Sequence, residues 1–165
     1  MIIMPLLTAL LHTHNDALRL GRCLETLYPC DHILIVDHIS QDDTVRIARE
    51  HGARVMAAMP NASPDHYAQS AAPGWILALD PRESLTEGLA ASLFDLHEEW
   101  KVPGNIAPPA YSIFVREETA DGWIEISASE TRLVPHTWKC WNGNLPVREP
   151  AALALEGELL RFNFP

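Results

Sequence analysis

Three short polar clusters each follow an apolar run: His12 to Asp16 after 6–11, Asp37 to Ser40 after 32–36, and Asp80 to Glu83 after 75–79. Runs of this length read as strands buried on both faces, and ligands of parallel sheets collect beyond the carboxyl ends of such strands. A carboxylate there accepts hydrogen bonds from N–H and hydroxyl groups. Asp37 and Asp80 are therefore the first candidates for ligand contact. Each also has a plain reading, as the residue that ends a strand and steadies the next turn. Glu83 likewise reads as an acid favouring the start of a helix. His12 and His14 share one face of a strand. They could pair on a metal, but no third ligand is evident. Hydrogen-bonded or solvated histidine is the default. Cys140 has no His or Asp partner at a spacing that would make it a nucleophile. Trp138 and Trp141 suit either the core or the face of a sugar ring.

The elements that must position these residues follow from periodicity. Asn15 reads as a helix cap with Asp16 in the first turn, and Ala17, Leu20, Leu24 and Leu27 fall on one helical face before Pro29. Residues 32–36 form a second strand. Asp42 or Asp43 caps a helix over 44–50, which Gly52 closes, and 53–58 reads as a third strand. Residues 60–74 hold three prolines and a glycine, so they read as largely loop, with one helical turn around Tyr67. A strand at 75–79 and a helix over 84–100 follow, the latter on Leu85, Leu89, Leu93 and Leu96. Beyond the rigid 102–109 segment, 111–117 and 122–134 read as two strands joined at Ala120 to Gly122. The tail, 151–165, is a short helical or extended segment. Alternation of strand and helix predicts an α/β fold: a mostly parallel sheet with helices on both faces. No repeat or second domain is visible, so 1–165 reads as one compact domain.

Composition narrows the partners. The chain has 165 residues and a formal charge of −10. An acidic surface repels phosphate backbones, which excludes nucleic acid as the expected partner and leaves room for one nucleotide at a local site. The three cysteines have no metal or disulfide spacing and read as reduced thiols, which predicts a cytoplasmic protein. The apolar start, MIIMPLLTALLH, lacks a basic flank and is too short to span a bilayer.

Several segments, in order, resemble family 2 glycosyltransferases, above all the short bacterial members that act in lipopolysaccharide core assembly. A TKNE-like motif reads THND at Thr13 to Asp16, and a CLESL-like helix end reads CLETL at Cys23 to Leu27. VDSGSTDGT corresponds to VDHISQDDT (Val36 to Thr44), and VEIAKEYGAKV to VRIAREHGARV (Val45 to Val55). GDWVLFLDADE corresponds to PGWILALDPRE (Pro73 to Glu83). RLV, WNG and VRE at 132–134, 141–143 and 147–149 follow the family's RLF, W-x-G and VHE.

The resemblance implies a GT-A, Rossmann-like nucleotide-diphospho-sugar transferase fold. It also implies transfer of a sugar from a nucleoside diphosphate donor, a UDP-sugar, to a hydroxyl of a glycan or lipid-linked acceptor. Peripheral contact with the inner membrane would go with such an acceptor. By position, Thr13, Asn15, Asp37 and Asp43 would hold the nucleotide. Asp80 and Glu83 would hold Mg²⁺ or Mn²⁺ at the diphosphate, and Glu149 would be the general base. One departure bears on the metal. Arg82 stands where the family has its second metal-binding aspartate, and a cation cannot ligate a cation. Either Arg82 neutralises the diphosphate itself or the site has lost metal and activity. In the latter case the chain is a degenerate, non-catalytic domain that binds a nucleotide or a protein.

Overall fold

The computed structural model describes residues 4–126 and 128–165. The first half runs β1 (Leu6–Thr13), α1 (Ala17–Glu25), β2 (His32–Asp37), α2 (Thr44–Glu50), β3 (Arg54–Ala57), α3 (Pro64–Gln69) and β4 (Gly74–Leu79). These strands lie in the order β3-β2-β1-β4 and pair in parallel throughout. β1 is central, which is why its sequence is apolar without alternation. Gly74 opens β4 at φ 147, and a Cβ there would stand 2.1 Å from the Leu6 carbonyl oxygen. Only glycine lets β4 begin this close to β1.

The second half adds β5 (Glu83–Leu85), α4 (Glu87–Trp100), β6 (Tyr111–Thr119), β7 (Gly122–Glu125) and β8 (Glu130–Pro135). A small hairpin, β9 (Trp141–Asn142) and β10 (Leu145–Pro146), and the long β11 (Leu153–Arg161) complete the described chain. β8 enters antiparallel beside β4 and carries the sheet on through β6, β11 and β5, with β7 on the side of β6. The sheet therefore has a parallel block and a mixed block, joined at the β4–β8 ladder. One apolar cluster packs Leu7, Ala9 and Leu11 of β1 under Leu20 and Leu24 of α1 and Leu89, Leu93 and Leu96 of α4. The other packs Leu10, Leu34 and Val36 against Tyr67 and Ala68 of α3. Helices thus cover both faces, and each fully buried leucine contributes about 2 kcal/mol.

Four local expectations change. The helix expected from residue 84 starts at Glu87, because Glu83–Leu85 pair with β11 and the Thr86 hydroxyl oxygen accepts from Leu89 N–H at 3.3 Å. The single helical turn expected around Tyr67 lengthens to the six residues of α3, with Pro64 in its first turn. The strand expected over 122–134 is broken into β7 and β8, and Ser127 lies outside the described residues. Asn15 is not the cap of α1. It takes a left-handed φ of 51, and Asp16 holds the cap position without a capping side-chain bond.

Candidate functional site

β1 and β2 end side by side, with Thr13 opposite Asp37 in the ladder, and β4 ends one residue before Asp80. Beyond these ends lies a cleft in two connected parts that share His12, His38 and Asn144. The polar part, about 360 Å³, is bordered by Asp16, Arg19, Asp80 and Arg82. The apolar part, about 330 Å³, is bordered by Ile39, Met59, Pro60 and Tyr67. A larger recess of about 540 Å³ opens at the opposite end of β2, around Leu24, Tyr28, His32 and Arg54. It lies away from all three polar clusters.

Asp37 organises the loop after β2. Its Oδ1 accepts from the Thr13 hydroxyl at 2.7 Å and the Ser40 hydroxyl at 2.6 Å, and its Oδ2 accepts from Ser40 N–H at 2.9 Å. Burial pushes this carboxyl up, yet the bonds from Ser40 and Thr13 hold it, on balance, below its ordinary value. These bonds fix the tight loop that puts Ile39 at φ 55, a strained conformation for a β-branched residue. Ile39 is 80% exposed, so the strain places an apolar side chain at the mouth of the cleft. Asn15 ties the neighbouring loop: its N–H donates to the Ser40 hydroxyl oxygen, and its Oδ1 accepts from Gln41 N–H.

Asp80 and Glu83 part company. Asp80 Oδ1 accepts from both the backbone N–H and the Nε of Arg82 at 2.9 Å, and Oδ2 faces Nη2 at 3.3 Å. Burial pushes the Asp80 carboxyl up, but the Arg82 bonds leave it lowered and ionised. Glu83, expected beside it at a metal, is instead fully buried. Its Oε1 accepts from Arg132 Nη1 at 2.7 Å and from Asp80 N–H at 2.8 Å. Its Oε2 accepts from Arg132 Nη2 and from Arg161. Two guanidiniums consume this carboxylate, so it has no lone pair to give a cation.

The histidines meet as well. His12 Nδ1 and His38 Nε2 are 2.9 Å apart, one ring donating to the other, and the His12 ring stands edge-on to Tyr67. Burial first, and then His38, push His12 down to about 4, so it is neutral at pH 7. His14 Nδ1 reaches the His38 carbonyl oxygen rather than His12. Asp16 accepts from His14 N–H at 2.8 Å, and burial raises its carboxyl.

Of the residues singled out in the sequence, Thr13, Asp80 and Arg82 border the cleft, while Asp37 is buried behind Thr13 and Asn15 braces the neighbouring loop. Asp43 stands apart on the surface, paired with Arg46 at 3.1 Å. Glu149 does not border the cleft; its Oε1 turns back to accept from Ala151 N–H at 3.1 Å. The expected general base is therefore not presented to the site in this conformation. Arg19, His38 and Asn144 border the cleft and were not foreseen. Arg19 had a signal, because it lies one helical turn from Asp16. Asn144 had none, since only the β9–β10 hairpin brings it there.

The carboxylates do not fit the divalent cation that the resemblance implies. Asp80 is paired with Arg82, whose positive charge repels a metal ion, and Glu83 is closed by Arg132 and Arg161. Among the described residues no group of three or more His, Cys, Asp or Glu could hold a metal ion. Nor, among them, is any helix long and apolar enough to cross a membrane.

No family description and no curated protein sequence matches this chain. Solved structures do resemble it. TarS of S. aureus aligns at 15% identity and a TM-score of 0.48, over 79% of this chain and 28% of that one. Mannosyl-3-phosphoglycerate synthase from Rubrobacter xylanophilus aligns at 21% identity and 0.47, over 68% and 39%. Glucosyl-3-phosphoglycerate synthase from Mycobacterium tuberculosis, solved with Mn²⁺, UDP and glucosyl-3-phosphoglycerate, aligns at 16% and 0.44, over 68% and 43%. The chain spans less than half the length of each of these proteins.

Proposed function

We propose that this chain is a GT-A-type, glycosyltransferase-like domain that holds a nucleoside diphosphate sugar, a UDP-sugar, in the cleft beyond β1, β2 and β4. The observation that carries the reading is the division of that cleft. An apolar part bordered by Ile39, Met59 and Tyr67 adjoins a polar part bordered by Arg19 and Arg82. A base has flat apolar faces, and a diphosphate calls for guanidinium donors. Both parts fall within the roughly 300–1,000 Å³ of ordinary ligand sites. Asp37 lies buried behind the cleft border and shapes it through its bonds to Thr13 and Ser40. The acceptor in this reading is a hydroxyl of a glycan or lipid-linked molecule, met at the cytoplasmic side of the inner membrane.

A second reading, binding without transfer, is favoured by the position of Glu149. With that carboxylate folded onto Ala151, no expected base faces the donor. Calorimetric titration with UDP and UDP-glucose tests the common core of both readings. Saturable binding, weakened tenfold or more in His38→Ala, is the expected result. Absence of binding to these and to other nucleoside diphosphates sinks it. Release of UDP from bound UDP-glucose when acceptors are supplied separates transfer from binding alone.

A further inference from the structure

We propose that the Arg82 guanidinium stands in for the divalent cation, so that the cleft binds a diphosphate without metal; this rests on the nucleotide reading above. Charge counting supports it. Two carboxylates around a divalent ion sum to zero, and Asp80 with Arg82 also sums to zero. The substitution of one acid by one arginine therefore restores the charge that metal loading would give.

The geometry makes Arg82 a fixed cation rather than a loose surface residue. Its backbone N–H and Nε are both anchored on Asp80 Oδ1 at 2.9 Å, and Nη2 lies 3.3 Å from Oδ2. Nη1 donates to Asn163 Oδ1 at 3.0 Å, and Asn163 is held in turn by the Glu118 carbonyl oxygen at 2.8 Å. Pro81 stiffens the intervening turn. Three of the five guanidinium N–H groups are used in this way, which leaves one on Nη1 and one on Nη2 for phosphate oxygens. Arg19, across the same part of the cleft, supplies a second cation. A metal ion approaching Asp80 would have to break the Arg82 bonds and then sit beside the displaced positive charge.

The test is titration of UDP into metal-stripped protein, with and without millimolar Mn²⁺, for the natural sequence, Arg82→Ala and Arg82→Asp. Mn²⁺ binding alone is followed by the electron paramagnetic resonance of the free ion. The natural sequence is expected to bind UDP with a Kd that changes less than twofold with Mn²⁺, and to leave Mn²⁺ free. Arg82→Ala should weaken UDP tenfold or more. Arg82→Asp should weaken it further without metal and recover with Mn²⁺, because Asp80 is then released beside a second acid. Melting temperatures of both variants control for folding. Mn²⁺ that tightens UDP fivefold in the natural sequence, or binds it without nucleotide at tens of micromolar, overturns the inference and spares the nucleotide reading. An unchanged Kd in Arg82→Ala overturns it as well. Failure of UDP to bind in either condition overturns the nucleotide reading and this inference with it.

Discussion

Asp80 and Glu83 are three residues apart, each bonded to arginine, and they belong to different regions. The Asp80–Arg82 pair lies at the rim of the cleft, with side chains 34% and 36% exposed. The Glu83–Arg132 pair lies where β5, β8 and β11 meet, with both side chains fully buried. At the rim, solvent compensates whatever the pair leaves unmade, and N–H groups stay available to a ligand. In the interior, Arg132 also donates to the Ala78 carbonyl oxygen at 3.1 Å, and Arg161 and Glu130 extend the network. Desolvation there makes the pairing costly to interrupt, whatever its net contribution to stability. In the proposed reading the same chemistry serves recognition in one region and register in the other. The buried pair connects β5, β8 and β11 across a junction where strand directions change.

Breaking the buried pair should have the largest effect. Glu83→Ala leaves the buried Arg132 charge with only the longer contact to Glu130 at 3.4 Å, and a loss of about 3–5 kcal/mol is expected in chemical denaturation. Adding Arg132→Met removes the orphaned charge, so the double variant should be more stable than Glu83→Ala alone. Equal stability of Glu83→Ala and the natural sequence would erase the contrast between the two regions.

That contrast also separates what the sequence made legible from what it did not. The strand and helix rhythm of residues 6–79 placed Asp37 and Asp80 at strand ends, because parallel strands and their helices are encoded by local periodicity. Glu83 carried no such signal. Its partners, Arg132 and Arg161, are 49 and 78 residues away in the chain. Local pattern therefore offered only a helix start or a place beside Asp80. β5 was hidden for the same reason: it exists only because β11 pairs with it. Arg82, by contrast, was visible as the residue that breaks the expected acidic motif, although its anchoring by Asn163 was not.

Acid should act next, and on the cleft side. His12 is pushed down to about 4 in the folded protein, from an unfolded value near 6.5. The folded state therefore binds fewer protons, and the stability His12 contributes is full above about pH 6.5 and lost as pH falls toward 4. Between pH 7 and pH 5 the loss is on the order of 2 kcal/mol. Denaturation midpoints across that range should slope for the natural sequence and flatten in His12→Gln. Identical slopes would assign the titration to another group. Thr13→Val is the smaller perturbation of the same corner. It deletes one donor to the buried Asp37 carboxylate, and about 1–2 kcal/mol of stability should go with it. A severalfold loss of UDP affinity should accompany it, since the Asp37 loop shapes the mouth of the cleft.

The smallest effect should come from Asp43, which the sequence resemblance put near the nucleotide. Its side chain is 65% exposed and its partner Arg46 is 59% exposed. Arg46 also reaches Glu50 at 2.7 Å, so it keeps an acidic partner when Asp43 is removed. Exposed pairs of this kind contribute little to stability, and a retained alternative partner lessens the loss further. Asp43→Ala should therefore leave the denaturation midpoint essentially unchanged. It should also leave the UDP Kd within twofold. A tenfold loss of affinity in a normally folded Asp43→Ala protein would mean that the loop after β2 rearranges on binding. The cleft would then extend past Ile39 toward the start of α2.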